Sequence, residues 1–124
     1  MGGLKYAPFL KGVVAMYQIN GKTWYIRLTQ SDSPMLMRSD KSYTVGMCDR
    51  ATQTIYISAL LQGKFLRKVL IHEVCHSAMF SYGIDMSVEQ EELFCDLVAT
   101  YGDEIIGIVD SIFRVLSEVA QCIR

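Results

Sequence analysis

The sequence predicts an α+β domain in which a small antiparallel or mixed sheet of about three or four strands is followed by helices. Two observations carry this. Short β-branched and aromatic runs, one pair split by Asn20-Gly21, fill the first half of the chain. After Leu60 the apolar spacing changes to three and four residues and keeps that period to the end.

Residues 1–12 (MGGLKYAPFLKG) combine Gly and Pro without periodicity and are read as irregular. With no regular pattern before Met16, residues 1–15 are expected to be dispensable. VVAMYQI and TWYIRL form a hairpin, because Asn-Gly supplies the two positive-φ residues that a tight turn between strands requires. Gln30–Lys41, with SDSP and RSDK, is a loop by composition, and Tyr43–Met47 and Thr54–Ile57 are two further short strands. Leu61, Phe65, Val69, Glu73, His76 and Phe80 mark one helical face that ends near Gly83. Ser87 and Gln90 form a capping box that opens a second helix, predicted to stop at about Tyr101-Gly102. Glu104–Ile123 is predicted as a third helix whose broad apolar face (Ile105, Ile108, Val109, Ile112, Leu116, Val119, Ile123) belongs to the core.

At 124 residues, 51% hydrophobic and 20% charged, the chain reads as a single globular domain spanning 1–124. A net charge of −1 with scattered basic residues gives no footprint for nucleic acid. No run reaches the ~18 apolar residues of a membrane span, and no secretory signal precedes the first strand. The expectation is a cytoplasmic, reduced protein whose four cysteines, none in a Cys-x-x-Cys pair, act mainly as small apolar residues.

The first predicted helix contains His72-Glu73-Val74-Cys75-His76. Positions i and i+4 share a helix face roughly 6 Å apart, so both imidazoles reach one ion, and zinc accepts imidazole nitrogen. Glu73 is angled away from the ligand pair, placed to hold a proton rather than the metal. The chain has only two histidines, and chance alone puts them four apart with Glu after the first in about 0.1% of arrangements. A third ligand must come from elsewhere. Glu89, Glu91, Glu92, Asp96 and Cys95 are the candidates, because a short turn between the two helices makes them antiparallel neighbours. Glu92 is favoured as the ligand, with Asp96 one turn on accepting a histidine N–H. Glu89 and Glu91 are expected to be ordinary surface residues. One two-histidine helix and no second cluster imply one zinc per chain.

His72-Glu73-x-x-His76 followed by Glu92-x-x-x-Asp96 resembles the gluzincin clan of metallopeptidases. Small size and strands before helices more specifically resemble the compact, often phage- or mobile-element-encoded ImmA/IrrE-type enzymes and the minigluzincins. The resemblance covers roughly residues 43–104. Cys75 departs from the Gly common in ImmA-type sequences, and Leu93-Phe94 departs from their usual Ala-Asn. The resemblance implies a sheet packed on a zincin-like helical half, made of the His72–His76 helix and two further helices. It implies a zinc-dependent endopeptidase in which Glu73 is the general base. Tyr82, between the two motifs, is then a candidate donor to the oxyanion, with Tyr101 or an Arg as alternatives. Tyr43–Cys48 would be the edge strand that receives an extended substrate, and the substrate would be a protein or peptide, with a repressor or other regulator among the candidates. The rival readings are a zinc-binding interaction module without activity and a non-peptidase zinc hydrolase. Retention of Glu73 argues against the first, and the absence of a separate Cys ligand motif argues against a deformylase.

Overall fold

The computed structural model describes Leu4–Lys5 and residues 12–123. It is α+β: strands β1 (Leu4–Lys5), β2 (Val13–Ile19), β3 (Lys22–Thr29), β4 (Gly46–Asp49) and β5 (Thr54–Ser58) precede helices α1 (Gly63–Ser81) and α2 (Val88–Ile123). β2 to β5 make a four-stranded mixed sheet, and the two-residue β1 extends it beside β2, giving the order β1-β2-β3-β5-β4. β1 departs from the irregular reading of 1–12; the rest of that segment apart from Gly12 lies outside the described residues.

The β2–β3 turn is the predicted one. Asn20 and Gly21 both have positive φ (48° and 75°), the conformation that matches the twist of the flanking strands. β3 and β5 run parallel with Ile26 opposite Ile55, and β4 then pairs antiparallel on the outer side of β5. β4 is therefore the edge, but its regular pairing covers Gly46–Asp49, beginning later than the predicted Tyr43–Met47. Tyr43 instead makes an isolated bridge to Met37.

Alternation on β3 puts Trp24 and Ile26 on one face, where with Ile55 and Ile57 of β5 and Val69 of α1 they form the buried core. Leu66, Leu70, Val74 and Phe80 bring α1 down onto that face. Polar bonds fix the C-terminal half of α1 on the hairpin. Trp24 Nε1–H donates to Ser81 Oγ at 2.8 Å, Asn20 Nδ2–H donates to the Ser81 carbonyl at 2.8 Å, and the Tyr17 and Ser77 hydroxyls are 2.7 Å apart. Gly83, at φ 64°, ends α1, and Ile84 N–H closes back on the Met79 carbonyl. The capping box also forms: Gln90 N–H donates to Ser87 Oγ, and Ser87 N–H to Gln90 Oε1.

Two expectations fail in the last third of the chain. The predicted second and third helices are one helix of 36 residues that continues through Gly102. A glycine costs a helix interior only about 1 kcal/mol, and no proline follows to enforce a break. The apolar face of 104–123 is not core either. Ile105, Ile112 and Leu116 are 48%, 52% and 60% exposed, because α2 extends past its packing against α1. Among the described residues, no helix is long and apolar enough to cross a membrane.

Candidate metal centre

Three elements meet at a cleft of about 740 Å³: the middle of α1, the first three turns of α2 and edge strand β4. α1 presents His72, Glu73 and His76 to it, α2 presents Glu91, Glu92 and Asp96, and β4 presents Gly46, Met47 and Cys48. Gly46 permits this approach. A Cβ there would stand 2.7 Å from Val69 Cγ1 and 3.0 Å from Glu73 Oε2, so only a residue without a side chain lets β4 lie this close to α1.

Two carboxylates flank the histidines on their Nδ1 sides. Asp96 Oδ1 is 2.9 Å from His72 Nδ1, and Glu91 Oε2 is 2.5 Å from His76 Nδ1. A carboxylate only accepts, so a neutral ring that donates to it from Nδ1 turns the lone pair of its Nε2 the other way, toward the cleft. Those two Nε2 atoms are 3.1 Å apart. Glu92 closes the third side, with Oε1 2.9 Å from His76 Nε2 and Oε2 3.2 Å from His72 Nε2. With both rings in that tautomer, three acceptors face one another, and a metal ion or a ring proton between them relieves their repulsion. His72, His76 and Glu92 are also the residues whose ligand atoms, one from each, all fall within 4.8 Å of one another. Ligand atoms about 2.05 Å from a tetrahedral zinc stand ~3.3 Å apart, so the spacing needs to open by only a few tenths of an ångström to hold one.

Glu73 lies beside this group, buried at 7% exposure. Burial pushes its carboxyl above the ordinary value, and the neighbouring imidazoles partly offset that. It is the one buried carboxylate of the cleft without a hydrogen-bonding partner assigned to it, which leaves its oxygens for a ligand in the cleft.

Glu91 departs from the surface position that the sequence predicts for it. It is not a surface residue but 6% exposed, gripped between His76 and the Arg50 guanidinium, whose Nη2 is 2.5 Å from the same Oε2. Burial works to raise its pKa, but Arg50 and His76 outweigh that and hold the carboxyl below its ordinary value. A clue was present: Glu91, Cys95, Val98 and Gly102 recur at four, three and four, the face of α2 that meets α1. Arg50, in the turn after β4, gave no such signal.

Cys95, the rival candidate, does not line the cleft. It is fully buried against Cys75, and burial pushes its thiol well up. Glu89 is exposed on the first turn of α2. Tyr82 is not brought to the centre: it stands at the C-terminal end of α1, 57% exposed, and lines a different depression beside the β2–β3 turn. Tyr101 is likewise exposed and outside the cleft, whereas Arg38 and Arg50 both line it.

Comparison of the chain with protein-family models, with curated proteins and with solved structures finds no match.

Proposed function

We propose that this chain is a zinc-dependent metallopeptidase, with His72, His76 and Glu92 as metal ligands and Glu73 as general base. The observation that carries the reading is the pair of Nε2 atoms, with Asp96 and Glu91 at the opposite ring nitrogens, facing the Glu92 carboxylate across about 3 Å. A structural zinc site is usually closed by four protein ligands, whereas three ligands in an open cleft leave a coordination position for substrate or water.

Zinc held there supplies Lewis acidity, polarising a peptide carbonyl and acidifying water toward a pKa of ~7. The chain's own residues do the rest. Asp96 and Glu91 keep both rings in the ligating tautomer. Glu73 accepts the proton of the attacking water and returns it to the leaving amine, a task favoured by a carboxyl raised toward working pH by burial. The outer edge of β4 offers main-chain groups to an extended peptide, which would then cross the cleft beside Glu73. Arg38, at the cleft wall, replaces Tyr82 as the candidate donor to the developing oxyanion.

The test is zinc content together with hydrolysis of a denatured protein mixture. About one zinc per chain is expected, and Glu73→Gln should retain it while losing cleavage. A protein that takes up no zinc sinks the reading, and so does a Glu73→Gln variant that cleaves as fast as the native chain.

A further inference from the structure

Twenty residues of α2, 104–123, continue past Asp103, the last residue of the helix bonded to α1 through Arg67 among the described residues. At 1.5 Å per residue they form a rod ~30 Å long. Its apolar positions follow a strict alternation of four and three: Ile105, Val109, Ile112, Leu116, Val119 and Ile123. That is the spacing of a helix–helix seam, and it continues the stripe Cys95–Val98–Gly102 by which α2 packs on α1. The positions flanking the seam are apolar as well, with Ile106 and Phe113 on one side and Ile108 and Val115 on the other. Among the described residues nothing covers this face, and its members are about half or more exposed.

We infer that residues 104–123 of α2 are a self-association surface and that its occupant is the same segment of a second copy of this chain. Three features select that occupant. First, helix pairs that choose a different partner use charges at the flanking positions, and here those positions are Ile, Phe and Val, so the face is complementary to itself. Second, the remaining side of the rod carries Glu104, Asp110 and Glu118 against the single base Arg114, the reverse of the basic face by which an amphipathic helix holds an anionic membrane. Third, the area is sufficient. Ten apolar side chains exposing on the order of 100 Å² each give roughly 1,000 Å² per chain, and pairing that covers half of it in both copies reaches the ~1,000 Å² of a specific interface. A width of four positions in seven exceeds what one facing helix covers. The groove of about 580 Å³ between α1 and α2, lined by Leu66, Leu70, Ile71, Val74, Ala78 and Val98, opens beside the seam at Val98 and supplies further apolar surface for the partner.

The association does not depend on the metal centre and is tested without reference to it. Sedimentation equilibrium of the full chain over ~1–100 µM should give twice the mass of one chain at the upper end. Ile112→Lys with Leu116→Lys, both at exposed positions, should weaken association at least ~100-fold while far-UV circular dichroism stays that of the native chain. Val109→Glu with Val119→Glu should do the same, and Asp110→Lys on the polar side should leave the mass unchanged. A one-chain mass across the whole range overturns the inference. So does a double mass that survives both double substitutions. Sedimentation of the chain with phosphatidylcholine–phosphatidylserine vesicles would assign the face to a membrane and overturn it equally.

Discussion

Glu91 and His76 are 2.5 Å apart at Nδ1, while Glu92, the next residue of the same helix, stands 2.9 Å from Nε2 of the same ring. Two consecutive carboxylates thus reach the two nitrogens of one imidazole from different sides. Successive residues on a helix diverge by about 100°, so this is possible only because α2 crosses the cleft with His76 lying between the two directions. Glu91 is buried between His76 and Arg50 at the wall of the cleft and Glu92 is half exposed in it, and their roles separate accordingly.

Glu92→Ala should abolish tight zinc binding, whereas Glu91→Ala and Asp96→Ala should each weaken it by about 10–100-fold, because each leaves a ligand ring without its acceptor. Glu89→Ala should change it little. Competition with a chromophoric chelator measures all four. Native affinity in Glu91→Ala would mean that the bond to His76 has no part in holding the ring.

Gly46→Ala should destabilise the fold by about 1–3 kcal/mol, since the new methyl meets Val69 at 2.7 Å and Glu73 at 3.0 Å. Because Glu73 must move, hydrolysis should fall further than the loss of folded protein accounts for, with zinc content kept. Urea unfolding at unchanged slope, beside metal analysis, reads both. Wild-type stability would show that β4 retreats from α1 at no cost.

The four cysteines should separate sharply towards iodoacetamide. Burial pushes the Cys48 thiol up to about 12, and Cys75 and Cys95 are raised by the same cause, so at pH 8.5 the Cys48 thiolate fraction is ~10⁻³ or less. Cys122, exposed near the end of α2, should be labelled first. Peptide mass mapping after brief alkylation should find the other three labelled only in denaturant. Early labelling of Cys95 would contradict its place between the helices.

A chain starting at Met16 should be less stable than the full chain, against the expectation that residues 1–15 are dispensable. The cut removes Val13, which is 8% exposed, and Ala15, which pairs with Ile26. Burying a valine is worth about 1.5 kcal/mol or more, so the melting temperature should fall by about 5 °C or more. An unchanged melt would place the effective start of β2 after Val13.

The parts of this structure that were legible in the sequence are those written in short windows. The Asn20-Gly21 turn, the Ser87/Gln90 box and the His72–His76 helix each need only a few neighbouring residues to be specified. The approach of Glu92 and Asp96 to the histidines was also legible, because a six-residue connection forces α1 and α2 into antiparallel contact. What was not legible depended on distant packing. Arg50 reaches Glu91 across 41 residues of sequence. Gly102 looked like a helix end because glycine often is one, but a single glycine is too weak a signal to stop a helix with good formers on both sides. The apolar face of 104–123 read as core because periodicity reports amphipathicity and not what covers the apolar side.

The bonds from Tyr17, Asn20 and Trp24 to Ser77 and Ser81 span 57 to 61 residues of chain. The proposed metal ligands and the carboxylates at their rings, by contrast, all lie within 72–96, close enough to meet early in folding. The two events therefore differ in loop-closure entropy: a helical hairpin of 63–103 can bring its acceptors together locally, while the sheet that holds β4 against them must wait for long-range closure, including the parallel β3–β5 pairing. A folding chain in a zinc-containing medium would then encounter ions before its cleft is walled. Early capture of the metal would preorganise α1 against α2, and refolding with zinc present should be faster than refolding without it.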